Sequence, residues 1–313
     1  METIAVVLNQ PEQVELKRLA LTAPTSDDVV VDIDWSGVST GTERLLWSGR
    51  MPPFPGMGYP LVPGYESVGR VVDAGSCSDL EPGQRVFVPG AKCFGEIRGL
   101  FGASASRLVV PAKRVVPIDA QLRERGILLA LAATAYHAIA APGASAPDCI
   151  VGHGVLGRLM ARISIALRND APTVWEKNPA RIDGASGYGV LHPEHDPRRD
   201  YRNIYDVSGD AGLLDSLIGR IAPGGEIVLA GFYSERLSFA FPPAFMREAR
   251  FRVAAEWRPA DLVATTALIE SGRLSLDGLI THRHDAVSAP DAYRIAFDDP
   301  SCLKMVLDWS SIS

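Results

Sequence analysis

The sequence predicts an α/β protein in which a doubly wound parallel sheet is combined with a mainly β module. The first observation is a short apolar run, Cys149–Val151, that ends in a Gly-x-Gly-x-x-Gly turn and is followed by a helical pattern. The second is that short apolar strands alternate with helical patterns from Leu122 onward. The third is that the residues before this point, roughly the first 120, form short strands separated by turns.

The bulk composition is that of an ordinary globular chain. With 313 residues, 47% of them apolar and 22% charged, the chain is long for one core, and two domains are expected. The net charge of −6 and the pI near 5.6 argue against nucleic acid or an anionic membrane surface as a partner. Four widely spaced cysteines without a Cys-x-x-Cys pair indicate free thiols in a reducing cytoplasm.

Neither a signal peptide nor a membrane span is expected. The first four residues lack the charged-then-apolar layout of a signal peptide. The most apolar stretch, residues 126–141, is interrupted by Thr134, Tyr136 and His137, and it is shorter than the about 20 residues that a span needs. We therefore expect a soluble, cytoplasmic protein.

The N-terminal part alternates apolar and polar residues as strands do. Turns separate these strands, which are predicted within residues 4–8, 29–35, 63–72, 82–88 and 106–110. Residues 51–60 are too rich in proline and glycine for a helix or a central strand, yet they are unusually apolar for a loop. Two interpretations stay open: a loop packed on its own domain, or an apolar lip over a substrate pocket.

The glycine turn has the pattern of a dinucleotide-binding site. Gly152 allows a tight strand-to-helix turn, Gly154 lets the backbone approach a pyrophosphate, and Gly157 lets the helix pack close to the strand. Val155 and Leu156 lie at the start of that helix, whose N-terminus offers unpaired N–H groups to the phosphates.

The next predicted strand supplies the cofactor preference. Residues 173–176 form a predicted strand that ends in an acid, Glu176, and 176 − 157 gives a spacing of 19 residues from Gly157. A carboxylate at this place accepts hydrogen bonds from the adenosine ribose and repels a 2′-phosphate, so NAD is the predicted cofactor. Within the turn, His153 is expected either to donate to the pyrophosphate or to face the surface. Ser208 follows the fourth strand and is expected to edge the cofactor crevice.

The remaining elements fit a parallel sheet. Further strands are predicted at residues 204–207, 227–230 and 251–254, with helices over residues 213–221 and 259–271. The charged stretch between Asn178 and Asn203 is interpreted as a solvated loop.

Three motifs resemble those of one superfamily. Gly64-Tyr65-Glu66 resembles the Gly-His-Glu strand of zinc alcohol dehydrogenases, and Thr40-Gly41-Thr42-Glu43 resembles their Cys-Gly-Thr-Asp turn. Residues 133–138 are similar to the helix that precedes their cofactor domain. The chain thus resembles the medium-chain dehydrogenase/reductase superfamily over nearly its whole length.

The resemblance implies a domain plan and two further cofactor contacts. A GroES-like catalytic domain would consist of residues 1–121 and 259–313, and a Rossmann domain, residues 122–258, would be inserted between them. Thr134 would touch the nicotinamide, and Lys304 would reach the pyrophosphate; a solvated side chain is the alternative for Lys304. The resemblance also implies a homo-oligomer.

The departures from the superfamily concern zinc. A catalytic zinc site needs three protein ligands. Thr40 (Ser39 in the neighbouring register) stands where the zinc enzymes have a cysteine, and Tyr65 stands where they have a histidine. Residues 129–131 contain no third ligand, and the region of the structural zinc site holds Cys93 alone. We therefore predict an enzyme without a metal site.

Within the superfamily, residues 38–49, 63–69 and 152–157 resemble the dehydrogenases of bacteriochlorophyll synthesis. This resemblance implies a chlorophyll-type macrocycle as substrate. It also implies oxidation of the 1-hydroxyethyl group at C3 to acetyl, with NAD⁺ taking the hydride. A flat macrocycle needs a wide apolar slot. The candidate substrate-pocket residues are Trp47, Met51, Phe54, Met57 and Tyr59, with Arg50 as the candidate contact for a propionate carboxylate.

Without zinc, side chains must handle the hydroxyl proton. Thr42 matches the proton-relay hydroxyl of the superfamily, while Tyr65 and Glu66 occupy the places of a metal ligand and its neighbour. We hypothesise that Tyr65 or Glu66 positions or deprotonates the substrate hydroxyl. The alternative is that Glu66 pairs with a buried cation and Tyr65 only packs.

Two other functions stay open at this point. A zinc-free quinone or enone reductase would have the same fold, but Glu176 disfavours it because such reductases usually take NADPH. A non-catalytic dinucleotide sensor would bind nucleotide without turnover, and the apolar residues 51–59 weigh slightly against it.

Overall fold

The computed structural model describes residues 1–53, 55–76 and 79–312, and these form two compact units. The first unit comprises Met1–Ala130 and Leu279–Ser313, and the second comprises Leu131–Gly278. Both ends of the chain therefore belong to the first unit. These limits differ from the predicted boundaries after residues 121 and 258, chiefly because the helix Pro259–Glu270 belongs to the second unit.

The first unit is mainly β. Its N-terminal part contains β1 (Glu2–Gln10), β2 (Gln13–Ala20), β3 (Asp28–Val38), α1 (Thr42–Trp47), β4 (Leu61–Val62), β5 (Ser67–Ala74), β6 (Arg85–Val88), β7 (Arg98–Gly99), β8 (Arg107–Pro111) and β9 (Val116–Pro117). Its C-terminal part contains β16 (His282–Asp285), α7 (Ala289–Asp298) and β17 (Met305–Asp308). The described residues of this unit form two sheets, in the orders β2-β1-β4-β7 and β16-β17-β3-β5-β6-β9, with β8 paired to β3.

Strand β3 organises the larger sheet. It pairs antiparallel with β5, β8 and β17. Val29, Val31 and Ile33 alternate along one face of β3, as the period of a strand requires, and they are buried in the core of this unit. Because β3 ends at Val38, the sheet fixes the position of the turn that follows it, residues 39–42.

The second unit contains β10 (Cys149–Val151), β11 (Thr173–Trp175), β12 (Gly189–Leu191), β13 (Tyr201–Asp206), β14 (Ile221–Leu229) and β15 (Arg250–Val253). Its helices are α2 (Leu129–Ala140), whose first two residues belong to the first unit, α3 (Val155–Arg168), α4 (Leu214–Ile218), α5 (Phe241–Met246) and α6 (Pro259–Glu270). The strands form one parallel sheet in the order β12-β11-β10-β13-β14-β15. The strand order reverses direction between β10 and β13, so the predicted doubly wound fold is confirmed.

Two helices test the sequence pattern directly. Helix α6 agrees closely with the prediction over residues 259–271. Helix α4 is shorter than predicted, because the chain from Ile221 onward pairs with β13 as β14, and Pro223-Gly224-Gly225 lies inside that strand. None of the helices in the described part of the chain combines the length and the hydropathy needed to cross a bilayer.

The interpretation of residues 178–203 as a solvated loop is wrong in two places. Strand β12 extends the sheet by pairing with β11. Asp196 is buried, and it accepts hydrogen bonds from Trp175 Nε1 (2.7 Å) and the Tyr201 hydroxyl (2.5 Å). The high charge of this stretch concealed an edge strand and one internal carboxylate.

Candidate active site and dinucleotide site

The glycine turn between β10 and α3 is shaped for a phosphate group. Gly152 has a φ of +106°, a conformation that side chains rarely adopt. A Cβ on Gly157 would lie 1.9 Å from the carbonyl oxygen of Gly152, so only glycine allows α3 to pack this closely. A Cβ on Gly154 would meet no atom within 4 Å, which leaves that side of the turn open to a ligand. The residues present therefore fit a dinucleotide bound at the N-terminus of α3.

Glu176 lies beside this turn, directly after β11. Its carboxylate accepts hydrogen bonds from the backbone N–H of His153 (3.0 Å) and of Asn178 (2.7 Å). These two donors hold a negative charge at the edge of the phosphate turn. The assignment of Glu176 to the adenosine ribose stays a prediction, and its position agrees with it.

His153 is buried, which overturns both positions considered for its side chain. Nδ1 lies 2.6 Å from the carbonyl oxygen of Arg181, and Nε2 lies 2.8 Å from the Tyr188 hydroxyl. Burial lowers the pKa of His153 to about 4, so the ring is neutral. Both nitrogens are committed inside the second unit, so neither faces solvent nor is free for a pyrophosphate. The ring instead connects residues 181–188 to the glycine turn through its hydrogen bonds to Arg181 and Tyr188.

The other candidate cofactor residues keep positions compatible with their assignments. Ser208 follows β13, and its hydroxyl donates to Asp206 (2.6 Å). The Cα of Ser208 lies 3.5 Å from the place of a Gly152 Cβ, so the sheet brings these two segments together. Val155 is buried at the start of α3, and Leu156 and Thr134 are half-buried. Their contacts with a cofactor stay predictions.

Gly157→Ala is expected to lower the free energy of unfolding by about 1–3 kcal/mol, because its Cβ would overlap a backbone carbonyl that cannot move aside. Gly154→Ala is the matched control, since its Cβ meets open space. The control is expected to keep its stability while weakening dinucleotide binding by filling the approach to the turn. Urea denaturation and titration with NADH measure the two effects. Equal stability of the two variants would contradict the assigned packing role of Gly157.

In the first unit, Tyr65 lies in a cluster of hydroxyl groups. The Tyr65 hydroxyl is 2.7 Å from Ser39 Oγ, and the Thr42 side chain also hydrogen-bonds to it. Burial raises the pKa of Tyr65 well above its ordinary value, with the charge of Glu66 adding to the shift, so the phenol keeps its proton at neutral pH. The predicted association of Thr42, Tyr65 and Glu66 in one place is present in the structure.

The motif resemblance places this cluster where the zinc enzymes of the superfamily hold their metal. Ser39 and Tyr65 are hydrogen-bonded to each other, and neither Thr40 nor Tyr65 supplies a thiolate or an imidazole. In the chain as described, without residues 54, 77, 78 and 313, no three His, Cys, Asp or Glu side chains are grouped so as to hold a metal ion. The residues present do not fit the catalytic zinc of the superfamily.

Glu66 forms a buried ion pair with Lys304. Lys304 Nζ donates to Glu66 Oε2 (2.6 Å) and to the carbonyl oxygen of Val38 (3.3 Å), and the two side chains are 0% and 1% exposed. Burial raises the pKa of Glu66, against the opposing effect of Lys304. The predicted pyrophosphate contact of Lys304, and its solvated alternative, are replaced by this pair. The other oxygen, Glu66 Oε1, has no partner among the described residues.

Glu43 is the polar residue of this site that the sequence did not single out. It is buried in the first turn of α1 and accepts hydrogen bonds from Ser39 N–H (3.0 Å) and the Tyr293 hydroxyl (2.6 Å). Burial raises its pKa to about 7. An acidic side chain in the Thr-Gly-Thr-Glu turn was the available signal, but the contact with Tyr293 joins residues 250 positions apart.

The candidate substrate residues form a half-buried apolar segment. They pack against a small core cluster, with contributions from Trp47, Met51, Met57 and Tyr59. The Tyr59 hydroxyl donates to the carbonyl oxygen of Leu46, which ties this segment to α1. This packing supports the interpretation as a loop on its own domain, and a role as a lip over substrate stays a prediction. Arg50 is exposed, with Nε donating to Ser48 Oγ (3.2 Å). Phe54 lies outside the described residues.

Comparison with known proteins gives three kinds of similarity. Residues 25–120 match the family described as alcohol dehydrogenase GroES-like domain. The chain is 60% identical over 310 residues to the 2-desacetyl-2-hydroxyethyl bacteriochlorophyllide A dehydrogenase of Rhodobacter capsulatus, with 99% of each chain covered. It is 58% identical over 314 residues to the protein of the same name from Cereibacter sphaeroides, again with 99% of each covered. The solved structure of L-idonate 5-dehydrogenase from Escherichia coli superposes with a TM-score of 0.85 at 18% identity, covering 99% of both chains.

Proposed function

Because this chain belongs to the family of the 2-desacetyl-2-hydroxyethyl bacteriochlorophyllide A dehydrogenases, within the medium-chain dehydrogenase/reductase superfamily, we propose that it oxidises the corresponding hydroxyethyl group of a bacteriochlorophyllide. The group is the 1-hydroxyethyl substituent at C3, the product is an acetyl group, and NAD⁺ is the oxidant. The chain is an oxidoreductase of bacteriochlorophyll synthesis. The proposed substrate rests on the 60% identity to the Rhodobacter capsulatus protein over 99% of both chains.

The reaction removes a hydride from the carbinol carbon and a proton from its oxygen. NAD⁺, when bound, supplies the hydride acceptor. The glycine turn supports a dinucleotide there, and Glu176 favours NAD⁺ over NADP⁺ because its charge repels a 2′-phosphate. The carboxylate keeps this position through two backbone N–H donors.

We assign the transfer of the substrate's hydroxyl proton to the hydroxyl cluster around Tyr65. Since the phenol is protonated at neutral pH, it acts as a hydrogen-bonding and relay group and not as a standing base. As the Tyr65 hydroxyl takes the proton of the substrate, it gives its own proton to Ser39 or Thr42, which gives up its hydroxyl proton in turn. The one proton released in each turnover passes to solvent. Glu66 and Lys304 lie behind this cluster as a buried charge pair. Glu66 Oε1 is a buried acceptor that has no hydrogen-bond partner among the described residues.

We also propose that the reaction proceeds without zinc, because Thr40 (or Ser39) and Tyr65, at the positions of the zinc ligands, supply neither a thiolate nor an imidazole. The test follows NADH absorbance with purified protein, NAD⁺ and 3-hydroxyethyl bacteriochlorophyllide a, with a metal chelator present and NADP⁺ in a parallel reaction. We expect turnover with NAD⁺ that the chelator leaves unchanged. Inhibition by the chelator would contradict the zinc-free step, and equal rates with NADP⁺ would contradict the role of Glu176. Nucleotide binding without turnover would favour a sensor.

A further inference from the structure

Glu43 is the centre of a buried polar network for which the proposed reaction has so far no use. Its two carboxylate oxygens accept from Ser39 N–H and from the Tyr293 hydroxyl, and the side chain is 1% exposed. Ser39 in turn shares a hydrogen bond of 2.7 Å with the Tyr65 hydroxyl. Glu43 therefore links helix α7 to the turn that orients Tyr65.

The interior around Glu43 contains two carboxylates and one ammonium group. Glu66 is paired with Lys304, and the hydroxyls of Tyr65 and Tyr293 face the same interior. If both carboxylates were ionised, one negative charge would lie out of water without a cation. Burial is accordingly the main cause that raises the pKa of Glu43 to about 7, and the charge of Glu66 adds to it. One proton is therefore gained or lost here near neutral pH.

The structure offers a hydrogen-bonded arrangement for each state of this proton. With Glu43 ionised, the Tyr293 hydroxyl donates to the carboxylate. The hydroxyl of Ser104 is buried and lies within hydrogen-bonding reach of the Tyr293 hydroxyl. With Glu43 protonated, the carboxyl group donates to the Tyr293 oxygen, and the Tyr293 proton turns to Ser104.

We propose that Glu43 is a positioning residue, which in its ionised form holds Ser39 so that the Tyr65 hydroxyl is oriented toward the substrate oxygen. Protonation replaces the charge-assisted hydrogen bond from Ser39 N–H with a weaker one and loosens the turn. This inference rests on the proposed function, and it gives the reaction a pH dependence: kcat/KM rises as the pH increases through neutrality, because the ionised form is the active one.

Glu43→Gln tests this directly, since the amide has the shape and the hydrogen-bonding pattern of the protonated acid. For the wild type we expect kcat/KM to rise about tenfold between about pH 6 and pH 8. The variant is expected to stay at the low-pH level of the wild type throughout. Tyr293→Phe removes a donor that lowers the pKa of Glu43, so it should move the rise to higher pH. A purely structural role would lower activity equally at every pH, and a rise unchanged in Glu43→Gln overturns the proposal.

A second readout needs no turnover. Because the pKa of Glu43 is higher in the folded protein than its ordinary value of 4.5, the folded state binds this proton more tightly. Stability is therefore greatest below the ordinary pKa and is lost as the pH rises to about 7. The melting temperature of the wild type should fall relative to that of Glu43→Gln over this range. If the melting temperatures of the wild type and of Glu43→Gln change with pH in parallel, the proposal is overturned. If they diverge but the enzyme shows no turnover, the result contradicts the proposed function alone.

Discussion

Lys304→Met should lower the free energy of unfolding by about 3–5 kcal/mol. The substitution leaves the Glu66 carboxylate fully buried without its cation, and removing one partner of a buried pair costs far more than the pair contributes. Val38 is the last residue of the central strand β3, and its carbonyl oxygen also loses the hydrogen bond from Lys304. Urea denaturation monitored by circular dichroism gives the free energy of unfolding and its dependence on urea.

Two controls separate the buried charge from the loss of a lysine as such. Lys92→Met changes an exposed lysine of the same unit and is expected to alter stability by less than about 0.5 kcal/mol. The double variant Glu66→Gln with Lys304→Met removes both charges, and it is expected to regain most of the stability that Lys304→Met loses. If the double variant is as unstable as Lys304→Met, unpaired charge is not the cause.

Tyr65→Phe should lower kcat by roughly 10²–10⁴-fold, the range typical for loss of a positioned proton-transfer group. The ring and its edge contact with Phe101 are retained, and the hydroxyl that bonds to Ser39 and Thr42 is lost. We expect a modest stability cost of about 0.5–1.5 kcal/mol for the missing hydrogen bond. Steady-state and single-turnover rates with NAD⁺ measure the change in the chemical step.

Tyr205→Phe provides the matched control for this experiment. Tyr205 is buried in the sheet of the second unit, where its hydroxyl donates to the carbonyl oxygen of Ser145 (2.6 Å). Its loss should cost a similar amount of stability and leave kcat unchanged. Wild-type turnover in Tyr65→Phe would show that the phenol only packs, and a carboxylate would then have to handle the proton.

The features that the sequence predicted correctly are those encoded locally. The turn formed by Gly152, Gly154 and Gly157 and the position of Glu176 beside it lie within one strand-helix-strand unit, and the structure confirms this local geometry. The contacts of these residues with a cofactor stay predictions. The alternation of strands and helices predicted the parallel sheet for the same reason.

The features that it missed depend on contacts between distant parts of the chain. Glu66 was recognised as a carboxylate that pairs with a buried cation in one interpretation, but its partner Lys304 is 238 positions away. His153 was assigned from its place in the turn, whereas its ring is fixed by residues that follow β11. A local pattern specifies which groups are present, and the tertiary fold decides which of them are already bonded to each other.

The return of the chain to the first unit has a consequence for its synthesis. Strand β17 pairs with β3, and Trp309 Nε1 donates to Ser36 Oγ (2.9 Å), so the central sheet joins a strand that precedes the second unit in the chain to one that follows it. Every strand of the parallel sheet has left the ribosome before β17 is translated. The second unit can therefore reach its native fold on the nascent chain while residues 35–38 of β3 still lack their partner strand β17. During that interval Glu66 lacks Lys304 and Glu43 lacks Tyr293, so the candidate site is complete only after these segments have been translated.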